Sequence, residues 1–519
     1  MELILLIIFS IIIRLLFTLS PTSDTGMHLW FIKQEKLSNL GCHDMYSSII
    51  DGVQGYPTLG HRIISYFPKS SWIFFGYVFN IFWDILYIIS IYFISNYIIF
   101  NTSLDALYLE FSPGFIIAIL TSISPVLVPL NARIKSIGSR TFGNLFILFN
   151  FYILYLILIN GFDIFLIFLY GLSLLVILLT SQFALQAVIF FTTLISIYYQ
   201  DYLVLVNMII IFIVLYTFNI LGSKHVVNHK INHWIWFFNN QDKGTVASHR
   251  NKLIDIILLP YYLLMKRNKF LEIILKQSSI LILLYSIPQL FFLLSELDVI
   301  LDFVKQSFLL EYITVLVVAT MAVFVLTSLK PFLFLGQAER YFEYTAFIIN
   351  IFFFSYCIET NNTHYLIYAF LFHLIVICAF FIYANRISYI NNITEHLDKN
   401  FVDLIQYLNK LRKKRLVVIP TKIAYEIGKS IDQTKDIKLY YPFVSTKNKI
   451  NGMKYMADDE QSLYYIKTNI KNFIDKYSIT HVLLVKNDIP EVYSNEYVTS
   501  LEKYKVVYEN KSYIIYDID

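Results

Sequence analysis

The sequence predicts a polytopic α-helical membrane protein carrying a small C-terminal α/β domain, and three observations lead there. Of the 519 residues, 57% are hydrophobic and only 15% are charged, too greasy a balance for a water-soluble chain of this length. Apolar runs of about 18 residues or more, enough to cross a hydrocarbon core of about 30 Å, recur from Leu3 almost to Tyr389. After Arg386 the composition turns charged and mixed, over a length sufficient for a small domain that folds in water.

The runs place membrane helices at 2–19, 73–99, 106–130, 145–160, 162–180, 183–199, 202–221, 271–294, 308–329, 344–358 and 364–384, about eleven by the length criterion. The first run has no basic start and no small-residue cleavage site, and Arg14 lies near its far end, so it reads as a retained helix. The stretch "LIDIILLPYYLLM" is too short to span and reads as interfacial. Two polar connections are long, 20–72 and 222–270. The expected division is a membrane domain over 1–385 and a soluble domain over 386–519.

Within the soluble segment "RLVVIP", "THVLLV", "YKVVYE" and "SYIIYDI" read as strands, the last two a hairpin closed by "NKS". "TKIAYEIGKSI" and "DDEQSLYYIKTNIKNFIDKY" read as helices between them, with Asp458 and Asp459 suited to an N-terminal dipole. Strands alternating with helices indicate an α/β layer domain.

The three cysteines, Cys42, Cys357 and Cys378, suggest neither a disulfide framework nor a zinc site. A net charge of +4, with no basic tract interleaved with aromatics, gives no support for a nucleic-acid partner. Walker A, Rossmann and nucleophile-elbow signatures are absent, so ATP hydrolysis and hydride transfer have no support.

Counting helices puts loop 20–72, "NARIKSIGSRTFGN", loop 222–270, "KPFLFLGQAERYFEY" and the C-terminal domain on one membrane face, leaving short turns such as "NGFD" on the other. Nearly all loop Lys and Arg share the motif face, which the positive-inside rule would put in the cytoplasm.

In "SDTGMHLWFIKQEKL", Asp24 and His28 are four apart and project from one side of a helix. A carboxylate at the interface can have its pKa raised and can take a proton from an attacking hydroxyl. The plain alternative is that Ser23 or Asp24 caps an amphipathic helix. In "DGVQGYPTLGHRIISYFP", Gly and Pro set a turn before a helix, with Tyr56, His61 and Arg62 at the turn or in its first turns.

The order of these pieces, a first helix ending near an Arg, a D-x-x-x-H segment, a linker and "YP-x-L-x-H" leading into the second helix, resembles the GT-C superfamily of integral membrane glycosyltransferases. "SPVLVPLNARIKSIGSRTFGNLF" looks like the basic second external loop of its bacterial and archaeal members. "FLGQAERYFEY" resembles a G-E-A-E-R-Y type segment, with Gln337 in place of the first acid. The tail "YKVVYENKSYIIYDI" looks like the closing hairpin of the soluble domain that several members carry. The resemblance touches most of the chain through short motifs and assigns no subfamily.

The resemblance implies that Asp24 is the catalytic base with His28 and His61 beside it; Tyr56, His61, Arg62, Glu339 and Arg340 are candidates to contact substrate, and Arg133, Lys135 and Arg140 form a basic cluster beside the membrane surface suited to hold a donor phosphate. Arginine suits bidentate binding of a lipid-linked phosphate at that depth, although such a cluster equally serves lipid-headgroup anchoring. Arg340, between Glu339 and Glu343, could instead be a salt-bridged structural residue. His225, His229 and His233 recur at intervals of four, but no carboxylate or Cys completes a ligand set nearby. Asp84, inside the second membrane helix, should face the bundle or a wet cavity.

The function expected is transfer of a sugar from a polyprenyl-phosphate carrier to a glycan, lipid or protein acceptor, with inversion and without metal or other cofactor. Its setting is the plasma membrane, with the first loop and C-terminal domain extracytoplasmic, against the charge rule above. The alternatives are a transporter or flippase of a lipid-linked glycan, and a polysaccharide polymerase or ligase. No internal repeat of the kind transporters show is visible.

Overall fold

The computed structural model describes residues 1–18, 24–37, 47–49, 52–53, 55–100, 110–128, 137–239, 257–274, 279–395, 399–421, 423–431, 437–441, 445–446, 454–455, 470–486, 497 and 499–518. Two compact units emerge. One comprises Met1–Thr22, Phe74–Thr217 and Val246–Asn385, and the other gathers Ser23–Ile73, Phe218–Thr245 and Arg386–Asp519. In chain order the first ten helices are α1 (Glu2–Thr18), α2 (Asp24–Leu37), α3 (Leu59–Ser65), α4 (Trp72–Phe100), α5 (Pro113–Ser122), α6 (Arg140–Asn160), α7 (Ile164–Thr180), α8 (Gln182–Tyr198), α9 (Tyr202–Phe218) and α10 (Ser223–Asn239).

The first unit is helical. Among the described residues four helical stretches are long and apolar enough to cross a membrane, Lys69–Phe100, Arg140–Asn160, Phe308–Ser328 and His364–Ile382, and counting two bent pairs as single spans raises the number to six. Helices also occupy the positions expected of the crowded 145–221 block, but α7 and α8 are 17 residues each. Among the described residues of the expected 106–130 span, ten are helical, as α5. Among the described residues of the expected span 271–294, residues 271–274 are helical and two further helices follow, Ser279–Ser286 and Pro288–Ser295, with Pro288 opening the latter. Proline lacks the N–H that would continue the first helix and suits the start of the next.

Local chemistry sets the helix starts. Asp163 Oδ1 accepts from Phe165 N at 2.7 Å, Ser181 Oγ from Ala184 N at 3.2 Å, and Ser307 Oγ from Leu310 N at 3.2 Å, each taking up a donor that the first helical turn leaves unpaired. Side-chain bonds then link helices where hydrophobic burial against lipid cannot. Asn150 Nδ2 donates to Ser173 Oγ at 2.7 Å and Asn350 Nδ2 to Thr121 Oγ1 at 3.0 Å. Arg14 and Asp84, both with fully buried side chains, pair at 2.7 Å, and Arg14 Nη1 also donates to Ser122 O at 2.7 Å, at the end of α5.

The second unit is built on a five-stranded sheet. The strands are β2 (Lys414–Ile419), β3 (Ile437–Leu439), β6 (His481–Val485), β7 (Lys505–Glu509) and β8 (Tyr513–Asp517), in the order β3-β2-β6-β8-β7. β2 is parallel to both β3 and β6, while β8 is antiparallel to β6 and β7. All four strands expected from sequence form, and the last two are a hairpin.

Strand alternation splits the core in two. Leu416, Val418, Leu483 and Val485 pack on one face with the helix Ile423–Ser430, and Val417, Ile419, Val482 and Leu484 pack on the other with Ile470–Tyr477. Both faces are covered, so β2 and β6 read as unbroken apolar runs.

The first loop belongs to this unit. Trp30 and Phe31 of α2 sit in the first core and Ile49 in the second. Ile49 N donates to Leu439 O at 2.9 Å and Leu439 N to Ser47 O at 2.8 Å, extending the sheet at the β3 edge. A smaller antiparallel sheet joins loop strand β1 (Gly52–Val53) to β4 (Ser445–Thr446), with β5 (Lys454–Tyr455) beyond.

Candidate functional site

α2 carries few apolar residues for a helix whose positions 25–35 are buried or half-buried throughout. Successive residues turn by about 100°, so positions two apart lie on nearly opposite sides. Asp24, His28, Phe31 and Glu35 form one stripe. Gly26, Trp30 and Lys33 form the other.

The first stripe meets α3 and the turn before it. His28 Nδ1 and His61 Nε2 lie 2.8 Å apart, with rings nearly parallel at 11°. One nitrogen of this contact must carry the proton and the other accept it. Tyr56 stacks on Phe31 at 4.9 Å and turns its ring edgewise to His28 and His61 at 5.8 and 6.0 Å. Glu35 Oε1 accepts from Thr58 Oγ1 at 2.6 Å and Oε2 from Arg62 Nε at 3.0 Å. Burial pushes the His28 imidazole down to about 4, so it is neutral at ordinary pH. Asp24 is the first residue of α2, one turn before His28, and its side chain lies outside the described residues.

Four of the sequence-derived candidates, Tyr56, His61, Arg62 and His28, thus come together. Arg62 spends at least one N–H on Glu35, a residue that sequence reasoning passed over. Its only sequence signal was its place on the Asp24–His28 stripe.

The bundle unit holds a second cluster. Residues Lys330–Leu335 and Ala338–Tyr344 are two 3-10 helices separated by Gly336, whose φ is 108°. A Cβ there would fall 2.8 Å from Phe183 Cζ, so glycine serves both the left-handed backbone and the close ring. Gln186 Nε2 donates to Leu335 O at 2.7 Å, taking up a carbonyl that an unbroken helix would satisfy internally.

Two guanidinium groups lie over the Phe183 ring, Arg340 at 4.8 Å and Arg140 at 5.4 Å from its centroid, the cation–π arrangement that arginine favours. Arg140 also pairs with Glu343, whose other oxygen accepts from Asn144 Nδ2 at 3.2 Å. Tyr87 Oη donates to the Glu343 carbonyl at 3.0 Å. Glu339, buried, accepts from Ser279 Oγ at 2.7 Å. Sequence reading missed Phe183, because a phenylalanine in an apolar helix carries no local mark. Arg133 and Lys135 lie outside the described residues.

Elsewhere, α10 carries His225, His229 and His233, and Gly55 packs directly against the His229 side chain. Among the described residues no three His, Cys, Asp or Glu side chains gather as a metal-ligand set.

Chemically, the loop cluster offers imidazoles and a carboxylate-bearing helix start, suited to moving a proton. The bundle cluster brings two guanidinium groups over one ring, Arg340 and the Glu343-paired Arg140, and guanidinium is the group best shaped to bind an anion. No protein-family model and no curated protein matches this sequence.

Proposed function

We propose that this chain is a GT-C-like membrane glycosyltransferase of about eleven spans that takes a sugar from a polyprenyl-phosphate carrier and passes it to a glycan, lipid or protein acceptor. Asp24 accepts the proton of the acceptor hydroxyl as its oxygen attacks the anomeric carbon. The bond from that carbon to the carrier phosphate breaks, the phosphate leaves with the bonding electrons, and direct displacement inverts the centre. Arg140 and Arg340, with Arg133 and Lys135, balance the charge that grows on the phosphate. The reaction needs no metal in this reading. It runs at the plasma membrane with the first loop and the C-terminal domain on the extracytoplasmic side.

What supports the reading is one observation above the rest: the D-x-x-x-H and YP-x-L-x-H segments, whose histidines are 33 positions apart, meet at 2.8 Å. A transporter of lipid-linked glycans would use the same Arg cluster and Asp84, which pairs with Arg14 at 2.7 Å, but would need no catalytic base.

The test compares a deletion strain carrying the wild-type protein with one carrying Asp24→Asn at matched membrane abundance. Loss of the cell's glycan with Asn is expected. An unchanged glycan profile would return Asp24 to a helix cap and favour the transporter.

A further inference from the structure

The second stripe of α2 has no part in the proposed chemistry, yet it is as deeply buried as the first. Lys33 is 7% exposed and donates from Nζ to Gly428 O at 2.7 Å and to Ile431 O at 2.5 Å. These carbonyls end the helix Ile423–Ser430 of the C-terminal segment, where the helix dipole and unpaired carbonyls favour a cation. Trp30, 1% exposed, lies 4.4 Å from the Tyr441 ring and 5.2 Å from the Tyr425 ring. Gly428 makes this seat possible, since a Cβ there would fall 2.9 Å from Trp30 Cδ1 and closer still to Tyr441 Oη. Gly26 in turn packs directly against the Glu426 carboxylate.

α2 is therefore clamped from both sides, by α3 on the Asp24–His28 stripe and by the helix Ile423–Ser430 on the Trp30–Lys33 stripe. A helix held on opposite faces can neither roll about its axis nor slide along it without breaking buried hydrogen bonds. Trp30 packs on Phe31 at 5.4 Å, and Phe31 stacks on Tyr56, so the second stripe fixes the orientation of the stripe that carries the His28, His61 and Tyr56 rings.

The geometry points to the C-terminal domain as a positioning device for the catalytic helix, with Lys33 and Trp30 as positioning residues that set the direction of Asp24 and His28. The inference rests on the reading of Asp24 as the base. An acceptor hydroxyl and a carboxylate misaligned by about 1 Å lose up to about a hundredfold in rate, which is the advantage of holding a loop helix in a folded core. It also gives the enzyme a reason to carry a soluble domain that is not itself the reaction centre.

The experiment uses the full-length protein with Lys33→Met, Lys33→Arg and Gly428→Ala. Amide hydrogen exchange over residues 24–37 is read on purified protein, and glycan level is read in the deletion strain at matched abundance. Lys33→Met and Gly428→Ala are expected to speed exchange in α2 and to lower the glycan about tenfold to a hundredfold. Lys33→Arg, which can still donate to both carbonyls, is expected to stay near wild type in both. Gly428→Ala decides the matter if Lys33→Met does not fold, since alanine favours the helix it enters and its Cβ presses on the Trp30 and Tyr441 side chains that seat α2.

Faster exchange with an unchanged glycan level overturns the positioning role. So does a lost glycan with unchanged exchange, or failure of Lys33→Arg to rescue. An active Asp24→Asn variant would instead overturn the functional reading, while the exchange data still report whether the domain holds α2.

Discussion

The two units bury charge in different ways. In the bundle a cation meets a carboxylate directly, as Arg14 meets Asp84 with both side chains fully buried and Arg140 meets Glu343. In the second unit Lys33 is satisfied by two neutral carbonyls at a helix end, and Glu35 shares itself between a hydroxyl and Arg62. Apolar surroundings make an unpaired charge costly in the bundle, and Arg14 and Asp84 meet that cost by pairing directly, while buried Glu339 is met by the Ser279 hydroxyl. Beside a layered α/β core, helix termini and loop hydroxyls supply enough dipoles, and the fold can place single charges where geometry is wanted.

The comparison is broken most directly at Asp84. Asp84→Leu leaves Arg14 buried without its counter-charge, and a loss of about 3–5 kcal/mol is expected in the unfolding equilibrium of the detergent-solubilised protein. The double variant Arg14→Met with Asp84→Leu should recover most of it, because two apolar groups need no partner. If the single variant is as stable as wild type, the bundle does not depend on this pair.

The second unit answers to pH instead. Burial holds His28 down to about 4 against an ordinary 6.5, so between these values the unfolded chain binds more protons than the folded one. The stabilisation is therefore complete above about pH 6.5 and is lost as pH falls toward 4, on the order of 2 kcal/mol by pH 5. Hydrogen exchange over residues 24–37 as a function of pH reads this, and His28→Phe should flatten the profile. A flat profile in the wild type would mean that His28 stays hydrated.

The smallest effect sharpens the contrast from within the bundle unit. Lys305 and Asp302 pair at 2.9 Å but are 73% and 79% exposed, so Lys305→Ala should change stability by less than about 0.5 kcal/mol. A larger change would say that charge pairing stabilises this unit whether or not it is buried.

Much of the architecture was legible because its determinants are local. Apolar run length marked a helical bundle, of which four to six stretches are long and apolar enough to span, Asp163 and Ser307 cap helices through their own backbone neighbours, and short runs rich in Val, Ile and Tyr located β2, β6, β7 and β8. The spacing of Asp24 and His28 placed them on one helical stripe, and the four candidates that come together in the loop cluster were all chosen from sequence. The reach of each of these signals is a few residues, which is the range over which backbone geometry couples side chains.

Only tertiary structure decided the rest. The order of residues holds no sign that Lys33 would find carbonyls 395 and 398 positions away, that Glu343 would take Arg140 from 203 positions away, or that Phe183 would lie beneath two arginines. Nor does it show that the first loop completes the core and sheet edge of the C-terminal unit. Such pairings depend on which surfaces remain uncovered once the local elements have formed, and burial, unlike helix periodicity, is settled by the whole chain at once.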